Sequence, residues 1–443
     1  MLHIEDKGVR DLLLTGNFGL EKESLRITKD GHLSHAPHPF SQDDTHIVRD
    51  FCENQTEVNT GVSKSAEDVL AELHQLNTRI YAGIRDLPEP ELLWPFSNPP
   101  YIRDEEDIPV AQFFGDLAEK TEYRLGLSKK YGRYKMALSG IHFNYSFSGD
   151  LLRRNYEAET GNKVEHGDGS FGYRSYEDRL YLDLAENAVA FGWVLVALTA
   201  ASPVLDTSYF TKGEEGGGVF TGMSSVRCSE LGYWNFFTPV LNYGSREAYA
   251  ESARRYVTEG LLEAPSEFYY PVRLKPRGKN SLDSIKENGI NHIELRSIDL
   301  NPFAEDNIDL RDIKFAQLLI VWLASIPGTP LRDWEQVLAV QNYKTAAHFD
   351  LRTVKISFPG GRIMPADEAA STVLGGMLSF YQEVFRESPQ KQAEAEALLS
   401  FELAKIEHPE EYSYAWRARR EFGENFVKDG LRLARSRAES HQG

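Results

Sequence analysis

The chain has 443 residues, 41% of them hydrophobic and 26% charged, the make-up of a water-soluble globular protein able to bury a large core. Its net charge of −18 is spread along the sequence, which argues against nucleic acid or an anionic membrane as partner; an anionic substrate would need metal ions or locally placed Arg and Lys. The first residues, Met1–Asp6, lack the basic and apolar regions of a signal peptide. Cys52 and Cys228 do not make a disulfide framework, so a reducing cytoplasm is expected.

In chain order, residues 1–35 read as a short helix and then a strand around Glu21 and Glu23, turning at Lys29-Asp30-Gly31. A second extended stretch runs from His46 to Val58. Ser65–Asp86 carries Val69, Leu70, Leu73, Leu76 and Ile80 at helical spacing, with Ser65 placed as the cap. The prolines of Trp94-Pro95-Phe96-Ser97-Asn98-Pro99-Pro100 exclude regular structure. A helix is expected over Val110–Lys130 and a strand over Tyr134–Phe147. A long apolar helix is expected over 176–201. The apolar run Ala188–Leu205 is long enough to raise a membrane span, but it holds Gly192, Thr199, Ser202 and Pro203 between flanking acids and reads as a buried core helix.

Thr211–Gly218 reads as a flexible loop and lacks the ending of a phosphate-binding loop. A strand at Glu267–Lys275, a polar loop at Pro276–Gly289 and a strand at Asn291–Leu300 follow, closed by Asn301-Pro302-Phe303. From Asp309 the chain is mostly helical, apart from a hairpin at Ile356–Ile363 turning on Pro359-Gly360-Gly361, and Leu433–Gly443 is expected to fray. Without a repeat, a linker or a break in composition, the pattern points to one α+β domain over 1–443. No Gly-x-Gly-x-x-Gly follows a strand, so a dinucleotide fold is not expected.

The chemistry lies in strands that put polar groups where a core strand is apolar. With a period of two, Glu21, Glu23 and Leu25 share one face of the first strand and Leu20, Lys22 and Ser24 the other, which sets the two carboxylates roughly 6–7 Å apart. Taken alone, this pair reads equally as a solvated edge. Likewise His142, Asn144 and Ser146 face opposite to Ile141, Phe143 and Tyr145, and His292, Glu294 and Arg296 opposite to Ile293 and Leu295. His142 alone also fits a structural histidine, Glu294 with Arg296 a surface pair, and the acids of Asp50–Glu57 a solvated turn. Together they describe one concavity lined by carboxylates and closed by arginine, as a divalent metal with a polyphosphate requires. Arg227, between small residues, is suited to a carboxylate or phosphate. Cys228 follows it directly, so thiol modification there is expected to inhibit.

The ordered blocks Gly19-Leu20-Glu21-Lys22-Glu23-Ser24-Leu25-Arg26, Asp50-Phe51-Cys52-Glu53, Trp94-Pro95-Phe96-Ser97, Ser139-Gly140-Ile141-His142-Phe143-Asn144 and Ile293–Phe303 resemble glutamate–cysteine ligase, both the proteobacterial type and the N-terminal half of bifunctional glutathione synthetases. The resemblance runs from about residue 15 to 330 and more weakly beyond. It implies a glutamine-synthetase-like fold, a curved mixed or antiparallel sheet forming a funnel backed by helices. It also implies ATP with roughly two or three Mg²⁺ or Mn²⁺ ions. Carried over by position, the metal ligands would be Glu21, Glu23, Asp50, Glu57, His142 and Glu294. Arg296 would stabilise the transferring phosphoryl group beside Glu294, Arg227 would hold the glutamate carboxylate, and Arg273 and Lys275 would contact phosphate or nucleotide. Tyr233 and Tyr269 would hold the acceptor amino acid, with Phe51, Tyr123, Leu127 and Leu138 around the cysteine thiol.

Besides a strand that ends in Thr60-Gly61 rather than Thr-Pro, two positions depart from the family pattern. Cys52 follows Asp50-Phe51 where Ala or Ser is usual, and Met136 stands where a polar Gln lines the cysteine pocket. The implied reaction joins the glutamate γ-carboxylate to the amine of cysteine through a γ-glutamyl phosphate, giving γ-glutamylcysteine, the first step of glutathione biosynthesis. With no second ATP-dependent domain, completion of glutathione is not expected. Met136 keeps open a same-family ligase with another amine acceptor. The pair Glu21 and Glu23 keeps open a metal-dependent or two-carboxylate hydrolase.

Overall fold

The computed structural model describes residues 1–164, 171–211 and 218–441. Its strands are Gly16–Ile27 (β1), Ile47–Arg49 (β2), Gln55–Asn59 (β3), Leu92–Leu93 (β4), Ile141–Phe147 (β5), Leu205–Asp206 (β6), Val219–Phe220 (β7), Val272–Pro276 (β8) and Ile290–Ile298 (β9). Six of them form a curled sheet in the order β2-β3-β1-β5-β9-β8, with β4 added to the far end of β1, and every pairing is antiparallel. The curved sheet backed by helices expected from the resemblance is therefore present.

The register explains the two faces. Phe18 pairs with Tyr145, Leu20 with Phe143 and Lys22 with Ile141, while Leu295 and Ile293 sit opposite Phe143 and Tyr145 on the next strand. These apolar residues share one core with the helices Ala66–Arg85, Phe171–Phe191 and Leu310–Ser325. A period of two then leaves Glu21, Glu23, His142, Asn144 and Glu294 on the opposite, concave face. Lys22 is the exception on the apolar face, buried and donating from Nζ to Asn77 Oδ1 at 3.1 Å.

The short helix Lys7–Leu12, the helix Ala66–Arg85 capped by Ser65, and the hairpin of Lys355–Ser357 with Ile363–Pro365 are as expected. Other elements start later than the sequence suggested. The helix over Val110–Lys130 begins only at Glu119, because Val110 bridges Cys52 and the amide of Ala111 donates to the Phe51 carbonyl, which holds that run extended beside the β2–β3 turn. Gly132, with φ of +78°, ends this helix, and the turn Arg133–Met136 takes the first residues expected in β5. Pro271 lacks the donor that a ladder needs, so β8 starts at Val272 rather than Glu267. The loop Pro276–Gly289 contains a helix, Leu282–Asn288, capped by Ser281.

The long apolar helix breaks at Gly192 into Phe171–Phe191 and Trp193–Thr199, where a Cβ would lie 2.2 Å from the Tyr343 hydroxyl. Its residues Ala188, Val189, Val194 and Val196 are fully buried in the core, as expected. No single helix among the described residues is long and apolar enough to cross a membrane; the bent pair, at 54°, passes by length and composition only. Most of the loop Thr211–Gly218 lies outside the described residues. Up to His441 the last stretch does not fray: Phe426–Ser440 is helical, and Phe426 and Phe422 meet Trp94 and Phe96 edge to face, which gives the proline-rich segment its packing role.

Candidate active site

The concave face gathers acids from three strands and a histidine from a fourth. β1 supplies Glu21 and Glu23, β3 places Glu57 opposite Glu23, β5 places His142 opposite Glu21, and β9 brings Glu294 opposite Asn144. His142 Nδ1 lies 2.9 Å from Glu21 Oε2 and 3.7 Å from Glu294 Oε1, and its Nε2 lies 3.8 Å from Glu23 Oε1. Nδ1 faces both the Glu21 carboxylate and the Arg296 guanidinium, and Nε2 is buried with no hydrogen-bond partner. Glu294 Oε2 is likewise buried and unpartnered. Asp50 lies in the β2–β3 turn and faces the same cluster, within the electrostatic reach of Glu23, Glu57 and Arg296.

Cations close one side. Arg296 donates to Glu294 Oε1 at 3.1 Å and lies 3.3 Å from His142 Nδ1, and Lys275 Nζ reaches Glu294 Oε1 at 3.1 Å. Arg273, opposite Glu294 on β8, spends part of its guanidinium on the carbonyls of Ser266 and Phe268, with Nε left unpartnered. Arg227 is buried next to Gly140, its Nε also unpartnered, and lines one cavity with Tyr233, Tyr269 and Arg296. Tyr233 and Tyr269 meet edge to face with centroids 4.9 Å apart.

Phe51, Leu127 and Met136 belong to one apolar cluster with Tyr123, Tyr233 and Tyr269 against its rim. Leu138 is not in it; it packs with Leu205 and Val226, and Tyr233 touches both groups. The two positions that depart from the family pattern are both internal, with Cys52 fully buried and Met136 at 6% exposure. Burial pushes the Cys228 thiol up to about 11, so it carries little thiolate at neutral pH.

Three contributors were not among the expected site residues. The Gly140 amide donates to Glu23 Oε2 at 2.8 Å, Asn144 Nδ2 donates to Glu21 Oε1 at 3.1 Å, and Arg124 faces the acids from the helix Glu119–Tyr131, donating to the Asp50 carbonyl at 2.5 Å. Asn144 was visible in the alternation after His142. Nothing local singles out Arg124 among the charges of its helix.

The electrostatics divide the acids. Burial opposes the charge of Glu294, yet Arg296, Lys275 and His142 outweigh it and hold the carboxyl well below the usual range. Burial and Glu294 also oppose the charge of Glu21, but the hydrogen bond from His142 leaves it below its ordinary value. Glu23 is pushed up to about 8 by burial and by Asp50, Glu57 is raised well above its ordinary value by burial and Asp50, and burial raises Asp50. His142 is pushed down to about 4 by burial and Arg296, so it is the neutral imidazole that ligates metals. Five crowded carboxyls, most of them hard oxygen donors with raised proton affinity, and one free imidazole lone pair fit divalent cations of the Mg²⁺ or Mn²⁺ kind.

This carries a pH dependence. Glu23 in the folded protein, at about 8, keeps a proton that the unfolded chain releases near 4.5. Stability from this source is full below 4.5 and drains as the pH climbs through about 8. In chelator, the Tm is expected to fall across that window by several °C, and saturating Mg²⁺ should flatten the slope. Calorimetry giving one slope with and without Mg²⁺ would remove the carboxylate cluster as its cause.

The curled sheet thus carries carboxylates on its concave face, with arginines facing them. The chain superposes with a TM-score of 0.82 on glutamate–cysteine ligase from Francisella tularensis, solved in complex with AMP, over 97% of this chain and 89% of that one at 20% identity. It also superposes with a TM-score of 0.80 on the bifunctional glutathione synthetase of Pasteurella multocida, at 28% identity, covering 99% of this chain and 54% of that one. The glutamate-cysteine ligase family model matches residues 1–260 and 236–346, and the chain belongs to that family. Among curated relatives, the glutathione biosynthesis bifunctional protein of Listeria monocytogenes is 33% identical over 416 residues, 92% of this chain and 52% of that protein. A glutamate–cysteine ligase of Clostridium acetobutylicum is 31% identical over 358 residues, 70% of this chain and 72% of the relative. The chain thus spans about half the length of the bifunctional relatives it matches.

Proposed function

We propose that residues 1–443 act as one catalytic unit that joins the γ-carboxylate of glutamate to the amine of cysteine at the expense of ATP, giving γ-glutamylcysteine, ADP and phosphate. The observation that carries this reading is the adjacency of two differently built regions: the acid cluster of Glu21, Glu23, Glu57, His142 and Glu294, and the cavity of Arg227, Tyr233 and Tyr269, with Arg296 reaching both.

Divalent cations held by Glu21, Glu23, Asp50, Glu57, His142 and Glu294 would supply positive charge between two anions that otherwise repel, and orient the phosphoryl group. The buried Arg227 holds a glutamate carboxylate, so the γ-carboxylate oxygen attacks the γ-phosphorus of ATP and ADP leaves. Arg296 meets the charge that develops on the transferring phosphoryl oxygens, while Lys275 and Arg273 face the remaining phosphates. The amine, held in the cavity against Tyr233 and Tyr269, then attacks the acyl carbon, the C–O bond to phosphate breaks, and the amine gives up its proton. Closure of the site by Tyr233, Tyr269 and Trp234 limits hydrolysis of the acyl phosphate.

The apolar surroundings of Met136 favour a second reading, a ligase of the same family taking an amine with an apolar side chain. The two-carboxylate hydrolase has less support, since it gives Arg296 beside Glu294 no task. Nothing in either ligase reading involves nucleic acid or membrane; the partners are small molecules. The test is ADP release from ATP, Mg²⁺ and glutamate with cysteine or a panel of other amines. Release that needs glutamate and cysteine together is expected. Release with another amine only would move the acceptor, and none with any amine would overturn the ligase reading.

A further inference from the structure

On the other face of the sheet from the catalytic cluster, Lys22 leads into a second group of titratable side chains. Its partner Asn77 donates from Nδ2 to Asp306 Oδ1 at 2.7 Å, and the other oxygen of Asp306 lies 3.0 Å from His74 Nδ1. His441 completes the group, 9% exposed, its ring stacked on Tyr81 at 4.4 Å and lying 4.8 Å from the ring of His74. One ligand atom from each of His74, Asp306 and His441 lies within 4.8 Å of the other two.

The hydrogen bonds fix the tautomer of His441. Thr78 has one hydroxyl proton and donates it to the His74 carbonyl at 2.9 Å. Its oxygen therefore accepts from His441 Nδ1, also at 2.9 Å, so that Nδ1 carries the ring proton and Nε2 a lone pair. That Nε2 is buried and has no hydrogen-bond partner. A buried imidazole anchored through one nitrogen, its other nitrogen unpartnered, in a cluster with a carboxylate and a second imidazole, has the donor set of a metal ligand.

We propose that His74, Asp306 and His441 bind a transition-metal cation of the Zn²⁺ class, at a site separate from the catalytic one and independent of the proposed reaction. Two imidazoles with one carboxylate select such an ion over the hard cations suited to the funnel. His74, with 45% of its side chain exposed, leaves room for water as a further ligand. The ion ties together the helix Ala66–Arg85, the segment after β9 and the C-terminal helix, and it sits one hydrogen-bonded relay, Asn77 to Lys22, from the strand that carries Glu21 and Glu23.

The experiment uses the full chain with His142→Gln, which weakens metal binding in the funnel, stripped with chelator and kept in excess Mg²⁺. Zn²⁺ is titrated against a chromophoric chelator, and melting is followed with and without Zn²⁺. One equivalent should bind and raise the Tm. Two further substitutions are added singly: His441→Phe, which keeps the ring stack on Tyr81, and His74→Gln at a half-exposed position. Each should weaken Zn²⁺ by about tenfold or more and abolish the rise in Tm. The metal-free melting temperature of each shows that its fold survives. No bound equivalent in the His142→Gln chain, or undiminished affinity in both added variants, overturns the site.

Discussion

Replacing Arg296 with lysine is expected to lower kcat for ADP release by about 10²–10³, the scale for losing one preorganised donor aimed at developing charge. The guanidinium is 13% exposed and held by Glu294 at 3.1 Å, so its direction is set before substrate arrives. Lysine keeps the charge that Glu294 needs but loses the planar fork that spans Glu294 and a phosphoryl oxygen together. Folding should therefore be little changed. Arg296→Met is the informative contrast. It leaves the fully buried Glu294 carboxylate to Lys275, with His142 and Arg273 nearby, and breaking a buried pair costs about 3–5 kcal/mol where no partner remains, less where one does. Both variants should be slow, and only Arg296→Met should unfold at lower urea. A lysine variant retaining kcat within about tenfold would move Arg296 from transition-state stabilisation to a structural role.

How much of this was legible in the sequence depends on the range of the interactions. Alternation within a strand is local, so the placing of Glu21 and Glu23 opposite Leu20 and Lys22 follows from Gly19–Ile27 alone, as does the two-faced character of Ile141–Ser146. Which strand lies beside which is not local. The pairing of Glu21 with His142 and of Asn144 with Glu294 joins residues more than a hundred positions apart, and only the ordered blocks of the family resemblance carried that information. Element boundaries were misplaced where tertiary contacts decided them: Val110 and Ala111 were drawn into an extended run by Cys52 and Phe51, although helical spacing continues through them. The tail at Leu433–Gly443 looked polar enough to fray, but Ala434 is fully buried and Arg437 is spent on the carbonyls of Pro302 and Ala304. The alternation sets Lys22 on one face with Leu20 and Ser24. The task of Lys22 emerged only with Asn77 and Asp306 in place, since neither is near it in sequence.

Gly140→Ala is expected to be as damaging as a change in the binding residues themselves, although the glycine offers no side chain to a substrate. A Cβ built there would lie 2.2 Å from Arg227 Cζ and 2.3 Å from its Nε, so the guanidinium has to move. Arg227 is 6% exposed, and the space beside it is the cavity it lines with Cys228, Tyr233 and Arg296, so a displaced guanidinium would enter the volume proposed for glutamate. A displacement on the order of 1 Å in a positioning group costs about 10²-fold. The loss should appear mainly as a raised KM for glutamate, with the KM for ATP nearly unchanged. Gly140 also donates to Glu23 and accepts from its amide at 3.0 Å, so the same substitution offers a competing route through the acid cluster. A double-mutant cycle separates the two. If Arg227 is the target, Gly140→Ala adds almost nothing to the defect of Arg227→Ala, because the group it displaces is already gone. If the two losses multiply, the glycine acts through Glu23, the KM for ATP and the Mg²⁺ requirement should rise instead, and the placing of glutamate on Arg227 loses its support from this position.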